Sequence, residues 1–147
     1  VAVLLDEADI TRQIRTESVT QAAAVIAQHA LVREAMVRLQ RGLTRGRSVV
    51  AEGRDTGTVV FPAADLKFFL PATIAVRARR RRMELQSLQG RCPSVASITR
   101  QLRTRDRMDR SRRVGPLARP HEAIVVDTSR LGTHAVIQRM LGHLPSA

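Results

Sequence analysis

The stretch VVAEGRDTGTVVFPAADLKFFL, Val49 to Leu70, decides how the rest of the chain reads. Two apolar runs flank a glycine-bounded segment, Gly53-Arg54-Asp55-Thr56-Gly57-Thr58. Ser48–Glu52 and Leu66–Leu70 read as short strands, dense in apolar residues as strands covered on both faces are. In open α/β sheets a ligand binds beyond the carboxyl ends of the strands. Arg54 and Asp55 follow the first run directly and so stand where a ligand would. Gly53 and Gly57 would let the backbone turn sharply and admit close approach. A plain turn holding a local Arg–Asp pair is the alternative.

Working outward, the opening VAVLLDEADI reads as a short strand and a polar turn around Asp6–Asp9. Thr16 or Ser18 then caps a helix. Val19, Ala23, Ile26, Ala30, Val32, Met36 and Leu39 recur at helical spacing, as two segments broken near His29. RGLTRGRS is a connector. Thr73–Gln89 reads as a helix, with a break at Gly90-Arg91-Cys92-Pro93. Ser94 caps a second helix to about Arg113, stopped by Gly115-Pro116. Ala123–Asp127 is a third buried strand, and Thr133–Leu144 a closing amphipathic helix. Strands alternating with helices imply βαβ units and a parallel sheet, an α/β fold.

A chain of 147 residues, 44% hydrophobic, suffices for one domain with a core. No apolar run approaches the roughly 18 residues that span a bilayer, so no membrane partner is expected. The single Cys92 supports neither a disulfide framework nor a structural zinc site, which suits a reducing cytoplasm, and it reads as an incidental thiol. Of the 25 basic residues 24 are arginine, and the net charge is +12. From Arg77 to Arg113 thirteen arginines face only Glu84, Asp106 and Asp109, a local balance of +10. Arginine's planar fork suits bidentate grips on phosphate, so a phosphorylated partner is expected. The only aromatics are Phe61, Phe68 and Phe69, few for a reader of stacked bases.

In the helix after Ser94, the apolar stripe Val95, Ile98, Leu102 continues into Arg105, Asp109 and Arg112. One reading is a helix leaving the body to border a cleft. The other is a solvated end held by i,i+4 pairs (Arg105–Asp109, Asp106–Arg110, Asp109–Arg113), each contributing a few tenths of a kcal/mol. Spacing leaves both open. His29, His121, His134 and His143 show no ligand-like spacing and read as surface or packing residues.

GRDTGTVVFPAADLKFFL, an arginine-rich helix, and then RTRDRMDRSRRVGPL resemble the bacterial cytidylate kinase family, which phosphorylates CMP and dCMP with ATP. Upstream, QIRTESVTQAAAVIAQHALVREAM is similar to the helical part of that family's monophosphate-binding insert, so the resemblance covers Val1 to about Leu144. It implies a P-loop nucleoside monophosphate kinase fold, a parallel sheet flanked by helices. Residues 1–40 would belong to the insert and 41–72 to core strands with the GRD motif. Residues 73–116 would form the lid and flanking helices, and 117–147 a core strand and the last helix. It further implies ATP with Mg²⁺ as phosphoryl donor and a cytoplasmic location; a monomer is expected because no exposed apolar stripe in the sequence asks for a partner beyond the missing strand.

Carried residue by residue, the resemblance implies that Arg54 holds the CMP phosphate and Asp55 recognises cytosine, whose exocyclic amine a carboxylate accepts. Arg33 would donate to the base, and Arg15 would line the monophosphate side. Arg105 and Asp109 would contact the sugar and phosphate region. Arg112 would face the phosphates, and Arg77, Arg80 and Arg81, at the start of the lid, would neutralise charge on the transferred group. The attacking phosphate is already anionic, so no general base is needed; the Mg²⁺ ligands are expected in the missing amino-terminal part, so no metal ligand is assigned among these residues.

The chain departs from the pattern. It contains no G-x-x-x-x-G-K-[ST], hence no backbone cradle for ATP phosphates. It reads as the carboxyl-terminal two-thirds of a kinase, an incomplete sheet without the P-loop strand and helix, inactive alone and marginally stable. Ala24 stands where a serine helps contact cytosine and Ala30 where a proline is usual. Base recognition would then rest on Arg33 and Asp55, with weaker rejection of UMP. Arg107 replaces a common acidic residue. The competing reading is a non-catalytic nucleotide- or RNA-binding module.

Overall fold

The computed structural model describes residues 2–89, 93–112 and 115–145, and it divides into two compact units, 1–49 and 50–147. The first opens on a hairpin of β1 (Leu4–Leu5) and β2 (Ala8–Asp9). Its two-residue loop puts Asp6 (φ 48°) and Glu7 (φ 67°) in the left-handed region, as a tight hairpin turn of the primed type requires. A 3₁₀ turn at Gln13–Arg15 leads into α1 (Glu17–Ile26), capped by Thr16, whose hydroxyl accepts from Val19 N at 3.4 Å. The helix stops at Ala27, and α2 (Ala30–Leu43) begins after His29, so the break lies where the apolar spacing lapses. No residue of α2 is buried, and Leu31, Leu39 and Leu43 are exposed.

The second unit is built on a parallel pair, β3 (Phe68–Phe69) and β4 (Ile124–Val125), with Phe68 opposite Ile124 and Phe69 opposite Val125. Amides of Ile124, Val126 and Thr128 donate in turn to the carbonyls of Lys67, Phe69 and Pro71 at 2.9–3.0 Å. That even, slanted spacing is the parallel pattern. The crossover between the strands is a helical hairpin, α3 (Ile74–Gln89) and α4 (Val95–Arg110), followed after β4 by α5 (Thr133–Leu141). Ser94 caps α4, its hydroxyl accepting from Ser97 N at 3.2 Å. Thr73 N, just before α3, donates to Ser129 Oγ at 3.0 Å, which ties the start of the helix to the turn after β4. Among the described residues Val60, Ala78, Ile98, Ala123 and Val126 make the core, drawn from the segment before β3, from α3 and α4, and from the two residues that flank β4.

Two expectations are corrected. Ser48–Glu52 is not a paired strand: among the described residues nothing offers its backbone a ladder partner, and Val50 is 99% exposed. A β-branched run becomes a strand only where a neighbour takes its N–H and C=O groups. The other strands are covered less fully than their composition implied, for Phe68 and Phe69 are half-buried and Val125 is exposed. The expected break at 90–92, with Cys92, lies outside the described residues, as does Arg113. No helix among the described residues is long and apolar enough to cross a membrane.

The Gly53–Thr58 segment turns by another device than glycine's positive φ, which neither Gly53 nor Gly57 adopts. Asp55 O accepts from the amides of Thr58, Val59 and Val60, and Phe61 N closes a wide turn over Thr56–Val60 by donating to Thr56 O at 2.7 Å. Such widened turns concentrate at functional sites. Gly57 is required for room: a Cβ there would stand 2.9 Å from the Pro120 ring. Lys67 reaches Glu122 at 3.8 Å beside this contact. His143 packs its ring on Phe68 with centroids 6.0 Å apart.

Ile98, 1% exposed, is the largest apolar side chain of this core to be fully buried. Ile98→Ala is expected to cost about 2–5 kcal/mol in urea denaturation, whereas Val50→Ser should stay within about 0.5 kcal/mol of wild type. Equal effects at the two positions would overturn this account of the core.

Candidate functional site

The G-R-D loop and the α3–α4 hairpin bring five charged side chains together. Arg54 follows Gly53, Arg77 lies in the first turn of α3, and Asp106 and Asp109 lie in the last two turns of α4, with Arg112 just beyond. Asp106 and Asp109, three residues apart, share a face of α4. Arg77 grips Asp106 with both arms of its fork, Nη1 donating to Oδ2 at 2.6 Å and Nη2 to Oδ1 at 2.9 Å. This contact joins the start of α3 to the end of α4, so the helices run antiparallel.

Asp109 is the most buried charge, 1% exposed. Its Oδ1 accepts from Arg112 Nη2, and its backbone carbonyl accepts from Leu117 N at 2.8 Å. Its Oδ2 accepts no hydrogen bond among the described residues and faces Arg54 Nε at 3.5 Å. Arg112 Nε is likewise buried without a hydrogen-bond partner there. A carboxylate so far from water is tolerable only because two guanidiniums flank it.

Arg54 stands between the two carboxylates, Nε at 3.5 Å from Asp109 and Nη1 at 3.6 Å from Asp106. At those distances the charges attract, but its N–H groups are not spent in hydrogen bonds to either carboxylate. The Arg54 side chain is a third exposed. Asp106, with Ile74, Arg103, Arg107, Arg110 and Ser111, also lines an open cleft of about 610 Å³. A partly exposed cation on a loop, with donors unspent on either carboxylate, suits an anion from solution.

The charges oppose local helix preferences. Arg77 sits at the positive end of α3, and Asp106 and Asp109 near the negative end of α4, each unfavourable to the helix dipole. The tertiary pairs outweigh that. Of the expected i,i+4 pairs, Arg105–Asp109 and Asp106–Arg110 do not form ion pairs among the described residues: Asp106 turns to Arg77 and Arg54, Asp109 to Arg112 and Arg54, and Arg105 is exposed; the third, Asp109–Arg113, lies partly outside the described residues. Asp106's carboxyl is held below its ordinary value, first by the hydrogen bonds from Arg77, against the opposing effect of burial, with the Arg77, Arg54 and Arg110 charges adding. The same bonds raise Arg77.

Arg80 spends its fork on the turn after β4, Nη1 donating to Thr128 Oγ1 at 3.0 Å and Nη2 to the carbonyls of Thr128 (2.6 Å) and Leu131 (3.1 Å). Arg81 pairs with Glu84 at 2.8 Å in an exposed i,i+3 contact. Asp55 is half-buried in the loop beside Arg54. Arg15, at the end of the 3₁₀ turn, is exposed, and Arg33 is half-buried on α2; both belong to the first unit. Asp106, which sequence reasoning gave no role beyond a local pair, is the contact shared by Arg54 and Arg77. Its three-residue spacing from Asp109 was the available signal.

The family model described as Cytidylate kinase matches residues 1–146. The chain is 40% identical to the cytidylate kinase of Halalkalibacterium halodurans over 97% of its own length and 64% of that protein's. It is 40% identical to that of Vibrio cholerae, covering 99% of this chain and 64% of the relative. For the Methylococcus capsulatus enzyme the identity is 43%, with 98% and 64% covered. The chain thus spans a little under two thirds of the length of these relatives.

Two outcomes test the cluster. Asp109→Ala leaves Arg54 and Arg112 without their shared counter-charge and should destabilise by about 3–5 kcal/mol in chemical denaturation; a loss under about 1 kcal/mol would mean the buried carboxylate is not held as described. For Arg77–Asp106 the folded carboxyl titrates below the unfolded one. The pair's stabilisation is therefore whole above about pH 4 and is lost as the pH falls through Asp106's lower folded value. Arg77→Gln should lower stability at pH 7 by about 1–2 kcal/mol and flatten the acid limb of the profile. A variant as steep as wild type in acid would count against the pair.

Proposed function

The chain belongs to the cytidylate kinase family, and on that premise we propose that it serves the transfer of the ATP γ-phosphoryl group to CMP or dCMP, supplying the monophosphate-binding and lid portion of the enzyme. The observation that carries the reading is Arg54, set between Asp106 and Asp109 with its donors unspent, where a phosphate of CMP can take them. Arg112, held on Asp109, adds a second guanidinium, and Asp55 beside Arg54 is the carboxylate that would accept from cytosine's amine. Arg33 and Arg15, on the first unit, would meet the base and the monophosphate side. Arg105 on α4 would reach the sugar and phosphate region.

The acceptor oxygen of CMP is anionic already, so what these residues contribute is position and charge neutralisation. Arg77 is committed to Asp106 and Arg80 to backbone carbonyls, so on this reading they shape the base of the lid, and direct contact with the transferred group would require those bonds to be exchanged. When bound, ATP supplies the phosphoryl group. The 147 residues include no G-x-x-x-x-G-K-[ST]. Among the described residues no three His, Cys, Asp or Glu side chains could share a metal ion, and Asp106 and Asp109 face arginines. The cluster's guanidiniums fit phosphates and its two carboxylates are engaged by arginines; on this reading the ATP cradle and the Mg²⁺ ligands come from the P-loop part of the enzyme.

In this assignment residues 1–40 belong to the monophosphate-binding insert, 41–72 and 117–147 to the core, and 73–116 to the lid and its flanking helices. The sheet within these residues is then incomplete. The enzyme would work as a monomer in the cytoplasm, where its nucleotides are.

Calorimetric titration with CMP tests the reading. Binding should weaken roughly 10- to 100-fold on Arg54→Ala and also fall on Asp55→Asn, while a coupled assay with ATP and CMP should detect no ADP from these 147 residues alone. ADP formation would overturn the division of labour. Absent CMP binding, with steeply salt-dependent RNA binding indifferent to Arg54→Ala, would favour a nucleic-acid module instead.

A further inference from the structure

Arg54 sits on a loop, and a long side chain on a loop has no intrinsic reason to hold one direction. Two carboxylates supply it. Asp109 faces only the Nε edge of the guanidinium, and a planar fork held at one nitrogen can still swing about that contact. Asp106 engages a different nitrogen, Nη1, at 3.6 Å, and two points on a plane restrict its rotation. Asp106 is itself fixed, because the Arg77 fork bonds both of its oxygens at 2.6 and 2.9 Å.

We propose that Asp106 is a positioning residue: its carboxylate, shared between the Arg77 fork and the Arg54 guanidinium, aims Arg54 at an incoming phosphate and ties that aim to the base of α3. The proposal rests on the phosphate-binding reading of Arg54 and deepens it. It gives the site a link from loop to lid helix, since a shift of α3 that moves Arg77 moves the carboxylate on which Arg54 is set.

Simple electrostatics makes the opposite forecast, which renders the idea testable. Removing a negative charge beside an anion site should, by Coulomb attraction alone, tighten anion binding. A loss of affinity therefore reports geometry. Inorganic phosphate is titrated into the full 147-residue chain while the Arg54 Nε–Hε resonance, assigned by its disappearance in Arg54→Lys, is followed by NMR. Asp106→Asn should raise the phosphate dissociation constant roughly three- to tenfold and broaden or shift that resonance. Asp106→Glu, which keeps the charge, should recover part of the affinity and stands in if the asparagine variant folds poorly. In an Arg54→Lys background, Asp106→Asn should change phosphate binding little further.

Phosphate binding by Asp106→Asn equal to or tighter than wild type would overturn the proposal, and so would an undiminished loss in the Arg54→Lys background. CMP binding no tighter than phosphate in the wild-type chain would sink the cytidylate reading alone, and the phosphate cycle would still decide the role of Asp106.

Discussion

The arrangement of the second unit depends on placing two carboxylates, one wholly buried, among three arginines. Asp109 could not remain charged at 1% exposure without flanking cations. The cations of the two carboxylates come from three places in the chain: Arg54 in the G-R-D loop and Arg112 past α4 flank Asp109, and Arg77 at the start of α3 grips Asp106. Satisfying one aspartate pair therefore fixes the antiparallel register of the helical hairpin and the position of the loop at once. The apolar core alone, five buried side chains of which two are alanines, is too small to specify these relations so narrowly.

Two cross-braces anchor the first turns of α3. Arg77 ties it to α4, and Arg80, one turn on, ties it to the carbonyls of Thr128 and Leu131 after β4. Thr128 N and Oγ1 in turn bond to Pro71 O at the end of β3. The helix root is thus continuous with the parallel pair through hydrogen bonds alone. In the next turn Met83 is exposed and Arg81 pairs within its own helix, with Glu84. Local rules are broken at the braced end, with arginine at a helix start and aspartate near a helix end. Such violations belong where function or tertiary packing overrides propensity.

Much of this was legible in the sequence. The break between α1 and α2 near His29, the serine cap at Ser94, the hairpin of α3 and α4, and the parallel relation of 66–70 to 123–127 follow from apolar spacing and cap chemistry, which are local. Ser48–Glu52 was misread because a strand is a property of a pair, and no run of β-branched residues reveals whether a partner is there. The roles of Gly53 and Gly57 were half legible. Close approach holds at Gly57, yet the turn is made by Asp55's carbonyl collecting three amides. At the site, the R-D-x-x-D-x-x-R spacing announced a charged face. It could not say that Asp106 looks to Arg77, 29 residues away, in preference to Arg110 on its own helix.

The choice of arginine over lysine throughout this cluster has a chemical corollary. The chain's only lysine side chain is Lys67, 13% exposed and set against Glu122 at 3.8 Å. Acyl donors that neutralise lysines thus find one shielded side-chain amine and nothing to act on among Arg54, Arg77 and Arg112. The positive field of the site is closed to acetylation, and amine-directed cross-linkers would leave it untouched. A dicarbonyl reagent, which condenses with guanidinium, is the chemistry that would reach Arg54, and an anion seated there would shield it.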